Sequence, residues 1–260
     1  RTGISDNFLM KITATIQARM GSGRLPGTVL KPIAGKSILE WQIYRLRKSS
    51  LIDEIIIATS NKKEDEKIKK VCNNLGINCW TGSENDVLKR VHDAFFSSNA
   101  DIHTEFYGDS PFIDPNLVDQ FLKYFLKNMK SIDYLTNSRK TTFPPGNEFS
   151  IYKSKCLKYA HEFTDKNDPL REHVSLNIIN KNKFKIENIE AIAELNEPDL
   201  YLEIDTIEDY EMLKKFIPIV ISQYGENFSL RDIIKVSKKE KELCKLNSSV
   251  NRRWKKYRED

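Results

Sequence analysis

A chain of 260 residues is long enough for one large domain, or for a domain with an attached lobe. Its composition, 39% hydrophobic and 30% charged, is that of a soluble globular protein, and no apolar run is long enough to span a membrane. The net charge of +5 is modest and much of it comes from the C-terminal lysines and arginines, so charge alone calls for no nucleic-acid partner.

Arg1 to Leu9 carry no periodicity and are read as an expression remnant, with the natural start at Met10. The apolar run Ile12 to Ile16 reads as a first buried strand. A glycine-rich loop comes next, Gln17-Ala18-Arg19-Met20-Gly21-Ser22-Gly23-Arg24-Leu25-Pro26-Gly27, and then a helix carrying Ile38, Trp41, Ile43 and Leu46. Glu54 to Thr59 is a β-branched strand. Glu64 to Leu75 is a charged helix with Ile68, Val71 and Leu75 at helical spacing, ended by Gly76. Ile77 to Trp80 is a third strand, Asp86 to Phe96 a third helix and Ile102 to Tyr107 a fourth strand. Asp114-Pro115 opens another helix, with Asp as cap and Pro at the first helical position.

From about Asp133 to Leu200 the pattern loosens. Phe143 to Gly146 is a turn, and Asn147 to Tyr152 and Phe184 to Ile192 read as strands of a lobe over the site or a dimer arm. The core pattern returns at Leu202 to Asp205, followed by a helix over Glu208 to Phe216, and Ser229 caps a late helix. Residues 10–220 thus form one unit, with 133–200 as its acceptor lobe or dimer arm and 221–260 as a basic helical tail. The tail is read as a solvated lysine-rich helix, since no aromatic interleaving marks it as a nucleic-acid module. Cys72, Cys79, Cys156 and Cys244 are scattered, with no zinc spacing, which fits reduced thiols in a cytoplasm.

Strands alternating with helices at this spacing imply an α/β fold with a mostly parallel sheet. Ligands in such sheets bind beyond the carboxyl ends of the strands. The loop Arg19 to Gly27, the segment Thr59-Ser60 and Gly108-Asp109 all follow strands and converge on one crevice. Arg19, Arg24 and Lys31 are candidates to neutralise a triphosphate, and Gly21, Ser22 and Gly23 to admit it close to the backbone. Gly108 lets a ligand approach Asp109, which suits Mg²⁺ as a ligand or serves a turn. Asp205 is either a second Mg²⁺ ligand or the N-cap of the next helix, the commoner role for a lone Asp there. Arg171-Glu172-His173 either binds an anionic acceptor or is a salt-bridged helix start. His92, His103 and His161 are left as structural.

The ordered set from Gln17-Ala18-Arg19-Met20-Gly21-Ser22 through Arg24-Leu25-Pro26-Gly27, Ala58-Thr59, Gly82-Ser83-Glu84, Gly108-Asp109-x-Pro111, Arg171-Glu172-His173-Val174 and Asp205-Thr206 resembles the cytidylyltransferases of the spore-coat polysaccharide SpsF type. These are relatives of the enzymes that make CMP-Kdo and CMP-sialic acid. The resemblance implies a Rossmann-like nucleotidyltransferase fold, CTP as substrate, Mg²⁺ held by Asp109 and Asp205, and a homodimer. It further implies transfer of CMP to a sugar acid or sugar phosphate. Ala58, Thr59, Ser60, Gly82 and Ser83 would read cytosine and ribose, and Glu148 belongs to the acidic acceptor positions. The chain departs from the family pattern at Thr28, where lysine is usual, and at Glu105, Ser110 and Ser150. Lys31 is the candidate to replace the missing cation. A non-catalytic nucleotide-binding homologue and a glycosyltransferase using a nucleotide-sugar are the competing readings.

Overall fold

The computed structural model describes residues 10–258, so the expectation for Arg1 to Leu9 lies outside the described residues. Strands β1 (Ile12–Gln17), β4 (Glu54–Ser60), β5 (Asn78–Gly82) and β6 (Ile102–Tyr107) run parallel in the order β5-β4-β1-β6. β2 (Pro32–Ile33) and β3 (Lys36–Ser37) make a small separate hairpin. β8 (Ser150–Lys153) pairs antiparallel with β6 and with β7 (Tyr134–Thr136), and β9 (Ile186–Asn188) closes the far edge parallel to β7. The result is a seven-stranded, mostly parallel sheet in an α/β fold of the Rossmann-like kind.

Period-two alternation sends successive side chains to opposite faces. In β4, Ile55 and Ile57 join one core while Ile56 and Ala58 join the other. The first core packs α1 (Ile38–Leu46), α4 (Pro115–Asn128), α7 (Ile207–Tyr224) and α8 (Leu230–Ser237) on one face. The second packs α3 (Val87–Phe96), α5 (Ser154–Phe163) and α6 (Val174–Ile179) on the other. Helix α2 (Glu66–Leu75) ends at left-handed Gly76, as expected. The short α9 (Lys241–Cys244) comes after α8. Ser37 with Glu40 forms a capping box on α1, and Asp86 caps α3. Asp114 caps α4 and also accepts a bond from the Leu230 amide at 2.7 Å, which joins the starts of α4 and α8.

Four expectations change. The strand expected from Asn147 starts only at Ser150, because the Asn147 side chain is committed to the loop before α4, accepting from the Asp114 amide at 2.9 Å. Leu202 to Asp205 is no strand. It is an extended segment whose amides bond Pro145 O at 2.7 Å and Asp109 O at 2.9 Å. The boundary placed after residue 220 falls inside α7, and α8 buries Leu230, Ile233, Ile234 and Val236 in the main core. Beyond α8 the described residues form short helical turns in place of a long solvated helix, and the chain turns back across the carboxyl ends of the strands.

The chain winds from β1 outward to β4 and β5, then returns to place β6 on the other side of β1. Loops that leave β1 and β6 therefore diverge and open a crevice between them. Gly108 keeps that crevice narrow at its base. Its amide bonds Gln17 O at 2.9 Å, and a Cβ there would lie 2.7 Å from the same oxygen. Its lack of a side chain serves strand packing.

Candidate active site

A cleft of ≈ 550 Å³ lies over the ends of β1 and β6. Arg24, Asp109, Glu148, Glu172, His173 and Asp205 all line it, gathered from positions almost two hundred residues apart. Asp109 follows β6 directly, and the bond from the Ile204 amide to Asp109 O sets Asp205 beside it. Asp205 is not the N-cap of α7. Thr206 takes that place, in a capping box with Asp209, whose carboxylate receives the Asp205 and Thr206 amides at 3.0 and 2.9 Å. The Asp205 carboxylate is thus released from capping, and Arg24 Nη2 lies 2.6 Å from it.

Burial, reinforced by the charge of Asp205, pushes the Asp109 carboxyl up to about 7, against the pull of a Ser110 hydrogen bond and Arg24. Glu203 is pushed well above the usual carboxylate range by burial and by Asp109, Asp205 and Glu148. Such a group of crowded carboxyls is short of positive charge. Its oxygen donors suit a hard cation, and among the described residues no set of three or more His, Cys, Asp or Glu could hold a metal unaided. Two carboxylates with room for phosphate oxygens and water fit Mg²⁺ or Mn²⁺, which usually take one or two protein carboxylates.

The glycine-rich loop is tied down by Asp65. Its buried carboxylate accepts from the Met20 amide at 2.7 Å and from the Ser60 hydroxyl at 2.5 Å, linking the loop to the end of β4. Gly21 lies against the carboxylates of Glu84 and Glu64. Gly21, Ser22 and Gly23 are outside the lining of the cleft, as are Ala58, Thr59 and Ser60 at the end of β4 and Gly82 and Ser83 at the end of β5. Gly82 packs on the Arg90 side chain, and the Ser83 carbonyl accepts from Arg90 Nη1 at 2.5 Å. Arg19 reaches the margin of the cleft through Glu172, at 3.6 Å.

Two expected site residues point elsewhere. Lys31 holds its ammonium 5.3 Å from the ring centroid of Tyr210 and does not line the cleft. Thr28 itself is buried and donates its hydroxyl to Leu25 O. Arg171 is buried behind the cleft, with Nε 2.9 Å from Asp86, Nη1 bonded to Thr164 O at 2.9 Å and Nη2 at 3.1 Å from His161. Of the two readings of Arg171-Glu172-His173, Arg171 follows the structural one, while Glu172 and His173 face the cleft.

Sequence reasoning missed the far wall. Trp254 donates its indole N–H to Glu203 at 2.5 Å, Arg258 Nη2 lies 2.8 Å from Glu148, and the Tyr257 hydroxyl is 3.5 Å from His173 Nε2. A signal was present in the basic run from Arg252 to Arg258, which, contrary to the reading of the tail as free of aromatic interleaving, carries Trp254 and Tyr257 between its cations. A second glycine brings Glu148 and Glu203 together. Gly146, at φ +100, has Leu202 and Glu203 so close that a Cβ would lie 2.6 Å from their backbone. Beneath the cleft, Glu105 is fully buried and accepts from Gln17 at 2.6 Å, Tyr152 at 2.8 Å and Ser175 at 3.3 Å.

A family model described as cytidylyltransferase matches residues 13–252. An uncharacterised protein of Methanocaldococcus jannaschii is 36% identical over 254 residues, covering 96% of this chain and 99% of its own. The spore coat polysaccharide biosynthesis protein SpsF of Bacillus subtilis is 32% identical over 204 residues, 76% of this chain and 83% of that one. The solved structure of a cytidylyltransferase from Leptospira borgpetersenii superposes with a TM-score of 0.84 at 33% identity, covering 94% of this chain and 100% of the other.

Proposed function

The chain belongs to the cytidylyltransferase family, and from that premise we propose that it transfers CMP from CTP to a sugar acid or sugar phosphate, releasing pyrophosphate, in the making of a surface polysaccharide or glycan. The observation that carries this reading is the pairing of Asp109 with Asp205 beside Arg24 in one cleft at the strand ends. Asp109 and Asp205 would hold a divalent ion, which would supply positive charge against the reacting triphosphate.

The protein's own part is positioning and electrostatics. An acceptor oxygen attacks the α-phosphorus in line, the bond to the bridging oxygen breaks, and pyrophosphate leaves. Arg24 is held ready at Asp205 and turns to the phosphates when they arrive, exchanging one charge-assisted partner for another. Arg19, at the margin, adds a second cation. Asn61, bonded to Gly82 O at 2.9 Å, fixes the ends of β4 and β5, where Ala58 to Ser60 and Gly82-Ser83 are assigned to the base and ribose. Glu148, Glu172 and His173 are assigned to the acceptor. The same reading includes a cytoplasmic location and a homodimer, the latter checked by sedimentation.

Pyrophosphate release from CTP and Mg²⁺, assayed across sugar acids and sugar phosphates, tests the proposal. Asp109→Ala and Asp205→Ala should each lower it by about 10³-fold. Wild-type turnover by both variants would remove the metal pair from the mechanism, and binding of an intact nucleotide-sugar in place of CTP would favour a glycosyltransferase.

A further inference from the structure

The C-terminal segment has two parts held for different reasons. The first is an anchor. Asn247 Nδ2 donates to Asp209 at 2.8 Å, and Arg252, with its side chain 1% exposed, bonds the same carboxylate through Nη1 at 2.9 Å and Nη2 at 2.7 Å. Structure accounts for this part, because Asp209 also caps α7. The second is the turn Arg253–Tyr257 with Arg258 after it. No residue of that turn is buried, so hydrophobic packing does not explain why it crosses the cleft.

The forces that hold it there are polar. Trp254 donates to Glu203, and Arg258 sits with its guanidinium carbon 4.6 Å from the Trp254 ring centroid and Nη2 2.8 Å from Glu148. The Arg258 side chain is only 10% exposed, and its Nη1 is buried with no hydrogen-bond partner among the described residues. A buried donor on a cation is costly to leave unmade, and such orphans in folded proteins call for an explanation. Arg258 lines the cleft, as do Lys256 and Arg253 from the same turn. With Nη2 committed to Glu148, the buried Nη1 still has donors for one more oxyanion. The matched family segment ends at residue 252, so this wall lies beyond it.

We propose that Arg258, braced by Trp254 and Glu148, is a specificity-determining residue that binds the carboxylate or phosphate of the acceptor through Nη1, so that the tail selects anionic sugars over neutral ones. The inference rests on the cytidylyl-transfer reading for the word acceptor, but it is tested on binding alone. The full chain is titrated calorimetrically with 3-deoxy-manno-octulosonate, N-acetylneuraminate, glucose 1-phosphate and neutral glucose, and separately with CTP and Mg²⁺. At least one anionic sugar should bind the wild-type protein and glucose should not, and the carboxylate and phosphate arms identify which anion is chosen. Arg258→Ala should weaken the anionic sugar by about tenfold or more, and Arg258→Lys should recover part of the loss. Trp254→Phe should weaken it less, while CTP affinity stays within about twofold in every variant. Glucose binding equally well, no anionic sugar binding, unchanged affinity in Arg258→Ala, or a parallel loss of CTP affinity would each overturn the assignment. Failure of cytidylyl transfer would show instead as absent CTP binding or absent pyrophosphate, whatever the sugars do.

Discussion

The two sides of β6 are built differently. On one side β1, β4 and β5 are parallel strands of five to seven residues, joined by compact βα units. The residues proposed for the nucleotide sit at their ends, and Asp109 of the proposed metal pair follows β6 itself. On the other side β7, β8 and β9 are strands of three or four residues. There the cleft is closed by side chains from Glu148, His173, Glu203 and Arg258, brought together by ion pairs and hydrogen bonds across the chain. The phosphate side owes its geometry to backbone that the fold makes in any case. The acceptor side owes it to pairwise contacts that can be exchanged one at a time without disturbing the sheet, and it is the side on which substrate choice can vary.

The largest test of this contrast is at the tail anchor. Arg252→Ala leaves Asp209 as an unpaired buried carboxylate, and losing one partner of such a pair typically costs about 3–5 kcal/mol. Urea denaturation should record a loss of that size. The tail should also become sensitive to proteolysis while the parallel half stays protected. A loss below about 1 kcal/mol would mean that the far wall is held by something other than this pair.

Next in size is the seam. Glu105 lies on β6, which pairs with both halves of the sheet, and the carboxyl is pushed up to about 7 by burial, against bonds from Tyr152, Ser175 and Gln17 that lower it. With an ordinary value of 4.5 in the unfolded chain, the native state holds this proton more tightly. Its stabilising contribution is complete below about pH 4.5 and is lost as pH rises through about 7. Over that window the change is at most about 3 kcal/mol. Glu105→Gln cannot ionise, and Gln17 can turn its amide to meet the new one. Between about pH 5 and pH 8 the variant should gain stability relative to the wild type by up to that amount. Equal pH slopes for the two proteins would show that Glu105 is ionised at neutral pH and that the seam carries a compensating charge.

The same contrast explains what could be read from the sequence. The parallel strands, their helices and the caps at Asp114 and Ser229 were legible because periodicity and capping are local. So was the convergence of Asp109 with the loop, since strand order alone brings strand ends together. The capping role of Thr206 in place of Asp205 turned on a one-residue difference in where α7 begins, since Asp209 accepts from the amides of both. The two-residue strands of the hairpin Pro32–Ser37 and the six-residue α6 are too short to show a period, whereas α5, with Cys156, Leu157 and Ala160 buried at helical spacing, carried a signal that was passed over. The far wall was illegible for a stronger reason. Nothing local to Trp254 or Arg258 specifies Glu203 or Glu148, which lie 51 and 110 residues away. A basic run looks the same whether it is solvated or folded over a cleft.

The smallest test is on the phosphate side, at Lys31. Its ammonium over the Tyr210 ring is a cation–π contact at a half-buried position, and such contacts are worth about 0.5–1 kcal/mol. Lys31→Ala should therefore lower thermal stability slightly and leave the KM for CTP within about twofold of wild type, because the fold, and not this side chain, shapes that half of the cleft. A KM raised by about tenfold, some 1.4 kcal/mol, would mean that Lys31 leaves Tyr210 to meet the triphosphate. The phosphate side would then also depend on exchangeable side-chain contacts, and the distinction between a half set by backbone and a half set by pairwise contacts would fail at the loop where it should be strongest.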